Sequence, residues 1–162
     1  MRDCLTLRLY CKRVKVIMEE EGVTDVGKAY HVKCTECAYE ETFYLGIGAN
    51  DADMVREAIE DLSRGGYGEA ALAFATHYES GLVECQRMLY RCRKCGRLET
   101  RIKMRMIGED MSFSQPYFCT ACGKLLGQVK PADVKKQSCP RCGKPIEVVE
   151  TFRWDIAPKP MK

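Results

Sequence analysis

The sequence has no long apolar run, only a small net charge and only two histidines. No segment of its 162 residues approaches the roughly 18 to 20 apolar residues that a membrane-spanning helix needs. The first 20 residues carry five Lys or Arg side chains and no uninterrupted apolar stretch, so we expect no secretory signal. A net charge of +3 with 46% hydrophobic residues also argues against a disordered chain.

Cysteine, in contrast, is abundant and regularly spaced. Eight of the 11 cysteines form four Cys-x-x-Cys pairs, which are Cys34/Cys37, Cys92/Cys95, Cys119/Cys122 and Cys139/Cys142. Cys4, Cys11 and Cys85 are left over, an odd number without regular spacing. A secreted disulfide protein would follow a signal peptide and pair its cysteines evenly. We therefore expect a reducing cytoplasmic location and thiolates bound to metal.

The type of metal site follows from the number and kind of ligands. Zinc prefers four ligands in a tetrahedron, with each sulfur about 2.3 Å from the ion. Three of the four turns continue into glycine (Gly96, Gly123 and Gly143), which permits a positive φ as the chain leaves the turn, whereas the first has Ala38. Eight cysteines make two complete sites without a position for water. The sequence therefore predicts two structural zinc ions.

The pairing of the four turns is predicted from their spacing. The 16 residues 123–138 separate the last two turns, as is usual for a four-cysteine zinc site, which predicts a site of Cys119, Cys122, Cys139 and Cys142. The other site would then be Cys34, Cys37, Cys92 and Cys95, with an insertion in the 54 residues 38–91. An alternative joins the second turn to the third and the first turn to the fourth.

The insertion has a helical pattern. A strand is predicted at Glu40–Leu45, and Asp51–Leu62 places Met54, Val55, Ala58, Ile59 and Leu62 on one stripe of a helix. A second, alanine-rich helical stretch covers 68–80, and Gly81 ends it. The other predicted strands are Leu82–Tyr90, Leu98–Ile107, Lys124–Val129 and Ile146–Trp154. Residues 131–137 are predicted to be a connecting loop.

These elements predict a small α+β metal-bound fold: two zinc ribbons of short antiparallel strands, the first with an inserted helical hairpin at about 50–81. Residues 28–110 would form the first ribbon and residues 111–156 the second. Residues 1–27 are expected to be a peripheral extension, or not part of the fold. Residues 157–162 are expected to be a flexible tail.

The four turns resemble those of the zinc-ribbon (rubredoxin-like knuckle) superfamily. The order of elements in the first part of the chain is also similar to that of small bacterial zinc-ribbon proteins of unassigned function. This order is a cysteine turn, Leu45-Gly46-Ile47-Gly48, a helix, Gly66-Tyr67-Gly68-Glu69, a second helix and a second cysteine turn. The resemblance implies eight metal ligands and nothing catalytic. The last two turns also resemble rubredoxin, so an iron electron carrier is the alternative, although Lys124-Leu125-Leu126 lacks the aromatic cluster typical around a rubredoxin iron.

The distribution of charge suggests partners. Residues 85–106 carry a net charge of +7, residues 124–144 of +5 and residues 51–69 of −4. Candidate nucleic-acid contacts are Arg87, Arg91, Arg93, Lys94, Arg97, Arg101, Lys103 and Arg105, with Tyr90, Tyr117 and Phe118 available for stacking. Alternatively these cations solvate strands beside negatively charged zinc centres, and the protein is an adaptor for another protein. We expect neither an enzyme nor a small-molecule substrate.

Overall fold

The computed structural model describes residues 27–48, 51–77 and 82–154. The chain divides into two compact units, each built from separate segments. The described residues of the first unit are 51–77, 82–85 and 103–115, and those of the second are 27–48, 86–102 and 116–154. Each unit is built from several segments, and the division into a first ribbon at 28–110 and a second ribbon at 111–156 stays a prediction. The expectations for residues 1–26 and 157–162 lie outside the described residues.

The secondary structure combines short strands with two helices. The strands are β1 (Lys28–Cys34), β2 (Glu40–Leu45), β3 (Leu82–Cys92), β4 (Leu98–Ile107), β5 (Ser112–Ser114), β6 (Leu126–Val129) and β7 (Ile146–Arg153). Helices α1 (Asp51–Ser63) and α2 (Glu69–His77) lie between β2 and β3, and Pro131–Lys136 form a 3-10 helix. The predicted strands agree with these bounds to within two residues, but β1 and β5 were not predicted. No described helix is long and apolar enough to cross a membrane.

The strands form two antiparallel sheets with long-range pairing. One sheet has the order β2-β1-β7 and the other the order β5-β4-β3-β6. In the first sheet the register places Cys34 opposite Ile146, although the two residues are far apart in the sequence. In the second sheet the register places Cys92 opposite Leu126. Both registers therefore bring a cysteine turn close to a strand from a distant part of the chain.

The second unit contains two apolar clusters. The larger, core A, consists of buried residues from several strands and the 3-10 helix, namely Val32, Phe43, Leu45, Leu89, Val129, Val134, Cys139 and Ile146. The smaller, core B, consists of Met88, Tyr90, Cys92, Cys119 and Leu126. Each cluster includes cysteines from the predicted metal sites, so the burial of apolar surface helps to fix the positions of the sulfur atoms.

The first unit contains the two helices. In α1 the side chains of Ala58, Ile59 and Leu62 are buried, as the predicted stripe requires, while the side chains of residues 51–55 are outside the description. In α2 the buried residues are Ala71 and Ala75. Two helices therefore follow one another where the sequence predicts them, whereas a helical hairpin inserted into one ribbon remains a prediction.

Candidate metal centres

Eight cysteines lie in two groups in the second unit. The sulfur atoms of Cys34, Cys37, Cys139 and Cys142, here called site A, all lie within 4.8 Å of one another. The same limit holds for Cys92, Cys95, Cys119 and Cys122, here called site B. Each group consists of four cysteines, so every predicted ligand lies in a cluster that could hold one metal ion.

The pairing of the turns differs from the one that spacing favoured, and the alternative pairing is the one in the structure. The antiparallel pairing of β1 with β7 brings the turn after Cys34 to the turn that precedes β7. The pairing of β3 with β6 does the same for the turns of site B. The pairing that spacing favoured lowers the free-energy cost of loop closure by only about 1 kcal/mol, because that cost grows with the logarithm of loop length. Strand register therefore outweighs spacing.

The distances between sulfur atoms fit a tetrahedral metal ion. Opposing turns approach at 3.4 Å (Cys34 to Cys142) and 3.7 Å (Cys37 to Cys139) in site A. The corresponding distances in site B are 3.4 Å (Cys92 to Cys122) and 3.5 Å (Cys95 to Cys119). A zinc ion about 2.3 Å from each sulfur gives tetrahedron edges of about 3.8 Å. All eight cysteines are free thiols, and these distances are far too long for the roughly 2.05 Å bond of a disulfide.

The backbone of each turn prepares the sulfurs for metal binding. Amide groups inside the turns point at sulfur, with N–Sγ distances of 3.4 Å from Glu36 to Cys34 and 3.3 Å from Arg141 to Cys139. Three turns close through a bond from the glycine N–H to the first cysteine's carbonyl, and φ is 76° at Gly96, 67° at Gly123 and 74° at Gly143. The expected role of glycine is confirmed at these three turns, since a side chain would be strained there.

The thiols of each group influence one another's ionisation. The backbone N–H of Glu36 lowers the pKa of Cys34 to about 6. At Cys142 the N–H of Lys144 favours the thiolate, but the neighbouring sulfurs outweigh it and raise the pKa to about 12. Four negative thiolates therefore repel one another unless a cation lies among them, and a divalent ion supplies that charge.

The surroundings of site A carry charges of both signs. In the strands that lead to and from its first turn, Glu40 Oε1 lies 2.8 Å from His31 Nε2 and 3.3 Å from Lys33 Nζ. Nδ1 of His31 is 2.9 Å from the Thr42 hydroxyl. His31 is thus engaged with Glu40 and Thr42 and is not part of the sulfur cluster. The Glu40 carboxylate is thus paired with Lys33 on this face of the sheet.

The surroundings of site B contain one buried acid, Glu99, whose side chain is 8% exposed. Its Oε1 accepts hydrogen bonds from the backbone N–H of Thr120 at 3.1 Å and from the Thr120 hydroxyl at 2.8 Å. Arg97 and Arg101 form ion pairs with it. Burial alone would raise the pKa of Glu99, but the Thr120 hydrogen bonds and Arg101 outweigh it and lower the pKa below the usual value. Glu99 therefore stays ionised and anchors the Cys119 turn.

The eight predicted nucleic-acid contacts fall into different environments. Arg91 donates two hydrogen bonds to Ser138, to its carbonyl at 2.8 Å and its hydroxyl at 2.7 Å, and thereby joins the strand beside site B to the turn of site A. The guanidinium of Arg87 lies 5.3 Å from the centre of the Trp154 ring. Arg97 and Arg101 flank Glu99, and Lys103 and Arg105 are half-buried in the first unit. Arg93 and Lys94 are exposed.

The three aromatic residues proposed for stacking also differ. Tyr90 is 6% exposed and packs edge-on against Tyr117, with ring centres 5.4 Å apart. The Tyr117 hydroxyl donates a hydrogen bond to the carbonyl of Ile102. Phe118, in contrast, is 58% exposed. Phe118 instead forms an isolated antiparallel bridge with Leu125, whose side chain is also exposed.

Two residues that matter for the site were missed in the sequence. Ser138, the acceptor of both Arg91 hydrogen bonds, directly precedes a ligand, and only the long-range strand pairing reveals its role. Glu99 is the single acidic residue of segment 85–106, and nothing in its sequence neighbourhood indicates its contact with Thr120. Among the three leftover cysteines, Cys85 is buried, and burial raises its pKa to about 11. Cys4 and Cys11 lie outside the described residues.

Comparison of the chain with known proteins finds no matching family model, no matching curated protein and no matching solved structure. The function is therefore inferred from the geometry of sites A and B and from their surroundings. Two groups of four cysteines that could each hold a metal ion are the chemistry that this chain presents.

Proposed function

We propose that the chain is a non-enzymatic zinc-ribbon-like protein that binds two structural zinc ions and acts by docking on another macromolecule. The observation that carries the proposal is the composition of the two clusters, each of which consists of four cysteine sulfurs within 4.8 Å of one another. Four thiolates fill a tetrahedron and leave no position for a water molecule or substrate, which is typical of structural zinc. Such an ion joins parts of the fold that are distant in the sequence.

The pairing of turns on which the resemblance to rubredoxin rests is not the pairing in the structure. The resemblance to rubredoxin rests on Cys119/Cys122 and Cys139/Cys142 acting together. These two turns belong to different sites, B and A respectively. A four-sulfur site accepts either metal, so the identity of the ion is a matter for measurement. The iron electron carrier is the alternative function that the measurement tests.

Metal analysis of the purified chain tests the proposal. We expect native mass spectrometry to show two zinc ions per chain, and a strong chelator to remove them with loss of sheet structure in circular dichroism. Cys85→Ser, which changes a cysteine outside both clusters, is the matched control and should retain two ions. A red protein with two iron ions would replace the proposal with the electron carrier, and a folded chain without metal would contradict both.

A further inference from the structure

The surface around site B is cationic and carries two exposed apolar side chains. Segments 86–98 and 116–132 supply its four cysteines and the neighbouring strand residues, and they contain seven Lys or Arg residues and no Asp or Glu. Phe118 is 58% exposed and Leu125 is 57% exposed. We define the site B face as Phe118 and Leu125 together with the three exposed cations Arg93, Lys94 and Lys124.

The backbone places these five residues around the two turns of one cluster. Phe118 and Leu125 face each other in an antiparallel bridge, and the N–H of Cys119 bonds to the carbonyl of Lys124 at 2.8 Å. Arg93 and Lys94 occupy the opposing turn between Cys92 and Cys95, whose sulfurs lie 3.4 and 3.5 Å from those of the Phe118 side. A metal ion at site B would therefore hold the whole face in place.

The exposed cations of this face lie beside the sulfurs of site B and have no paired acid in the part of the chain that the structure describes. Arg93, Lys94 and Lys124 form no ion pair with another described residue. Glu99, which accepts hydrogen bonds from Thr120 in a turn of site B, is buried and has its own two arginine partners, Arg97 and Arg101. It therefore offsets part of their charge and not that of the three exposed cations. Four thiolates with one divalent zinc ion carry a net charge of −2, so segments 86–98 and 116–132 keep a net charge of about +5 when site B is filled. The face is therefore still complementary to a polyanion.

We infer that the site B face binds single-stranded nucleic acid, with Phe118 stacking on an unpaired base and Arg93, Lys94 and Lys124 contacting phosphates. The inference rests on the proposed function, because metal at site B fixes the two turns. Base stacking on an exposed aromatic ring tolerates any sequence, since every base has a π-face. In a duplex the bases are already stacked, so Phe118 favours a single strand. The three cations contribute a part of the binding free energy that decreases as the salt concentration rises.

Fluorescence anisotropy of the zinc-loaded full chain with labelled oligonucleotides tests this inference. The probes are a mixed-sequence single-stranded RNA, the matching single-stranded DNA and the DNA duplex, each titrated at several salt concentrations. We expect binding to single strands that weakens as salt rises. Phe118→Ala should weaken it about tenfold. The triple variant R93Q/K94Q/K124Q should reduce the slope of log affinity against log salt by about 2, at about 0.7 per phosphate contact.

Matched variants separate this face from general electrostatic attraction. Phe152→Ala removes a half-exposed aromatic ring from β7, outside the site B face, and should leave the affinity within about twofold. The triple variant K28Q/K135Q/K144Q removes the same charge elsewhere and should change the affinity for single strands much less than the site B triple. Equal losses from the two triple variants, or no loss from Phe118→Ala, would overturn the inference.

The outcome also distinguishes failure of the inference from failure of the proposed function. Zinc is counted in every sample before titration. A chain that carries two zinc ions but binds no single strand at low salt overturns the inference and leaves the structural-zinc proposal intact. If Phe118→Ala weakens the binding of a protein partner but leaves oligonucleotide binding unchanged, the inference is likewise overturned and the structural-zinc proposal stands. A chain without zinc contradicts the proposed function itself.

Discussion

Sites A and B have the same four-sulfur geometry but different surroundings. Site A lies at the end of a three-stranded sheet whose charges form pairs, as at Glu40 with His31 and Lys33, and next to the larger core A. Site B lies next to the smaller core B and is surrounded by exposed cations, with Phe118 uncovered. The difference teaches that the same four-cysteine cluster can stand in different surroundings, and that only the residues between and beside the cysteines distinguish the two surfaces.

The largest expected effect is the loss of one metal ion. Cys139→Ser/Cys142→Ser should abolish site A and remove hydrogen-exchange protection from β1 and β7 first. Cys119→Ser/Cys122→Ser should abolish site B and remove protection from β3 and β6 first. Structural zinc contributes about 10–16 kcal/mol to the folding of zinc-finger peptides, so each loss should exceed that of any core substitution.

Hydrogen exchange followed by mass spectrometry measures these patterns. The two variants are controls for one another because each leaves the other cluster's cysteines unchanged. If both variants lost protection in the same strands, the two sites would not be local supports of separate strand pairs, and the comparison between them would fail.

The stability costs of three Leu→Ala substitutions compare core A, core B and the exposed surface. Leu89 is fully buried in core A, Leu126 is 6% exposed in core B, and Leu125 is 57% exposed. Leu89→Ala should lower the free energy of unfolding by about 2–5 kcal/mol, because it removes buried contacts and leaves a cavity. Leu126→Ala should cost less in the smaller cluster, and Leu125→Ala less than about 0.5 kcal/mol. Urea unfolding of the zinc-loaded variants measures all three, and an equal cost at Leu89 and Leu125 would contradict the assignment of core A.

Arg91 connects the surroundings of the two sites. Arg91→Met should lower the free energy of unfolding by about 1–3 kcal/mol, because it removes two hydrogen bonds and leaves the Ser138 carbonyl without this donor. Arg93→Met is the matched control two residues away, where the side chain is exposed, and should have little effect. Thermal unfolding of both variants gives the comparison, and a cost at Arg93 as large as that at Arg91 would show that charge alone matters.

Cys85 provides a thiol outside both clusters. The predicted effect of its raised pKa is the smallest of those considered. Because burial raises its pKa to about 11, only about one molecule in 1,000 carries the thiolate at pH 8, against about one in ten at a pKa of 9. Alkylation at pH 8, followed by peptide mass spectrometry, should therefore label Cys85 far more slowly in the folded chain than in urea. Rapid labelling of the folded chain would contradict its burial.

The same shift has a defined sign in stability. A pKa raised in the folded state means that the folded chain retains the proton longer than the unfolded chain does. The contribution of Cys85 is therefore fully present below about pH 9 and is lost as the pH rises toward 11. The Cys85→Ala variant should show a smaller loss of stability between pH 8 and pH 10.5 than the unchanged chain.

Local features of the fold could be predicted from the sequence. The turns with Gly96, Gly123 and Gly143 and the bounds of β2 and β4 depend on neighbouring residues, so spacing and alternation were sufficient. The burial of Ala58, Ile59 and Leu62 in α1 followed from helical periodicity in the same way.

Long-range features could not be predicted. The pairing of the turns depends on β1 with β7 and β3 with β6, and no short-range signal specifies either register. The engagement of Arg91 with Ser138 depends on the same pairing. The sequence therefore predicts the eight cysteines that cluster, while their grouping and the contacts of the neighbouring cations needed the structure.

Removal of whole cysteine pairs most directly tests the claim that the first turn shares a metal site with the fourth and the second turn with the third. We would replace the four cysteines of site A (Cys34, Cys37, Cys139 and Cys142) with serine and count zinc ions by native mass spectrometry. The structure predicts one remaining ion, at site B. Replacing Cys34, Cys37, Cys92 and Cys95 instead should leave none, because both sites lose two ligands. The opposite result, no ion in the first variant and one in the second, would contradict the account.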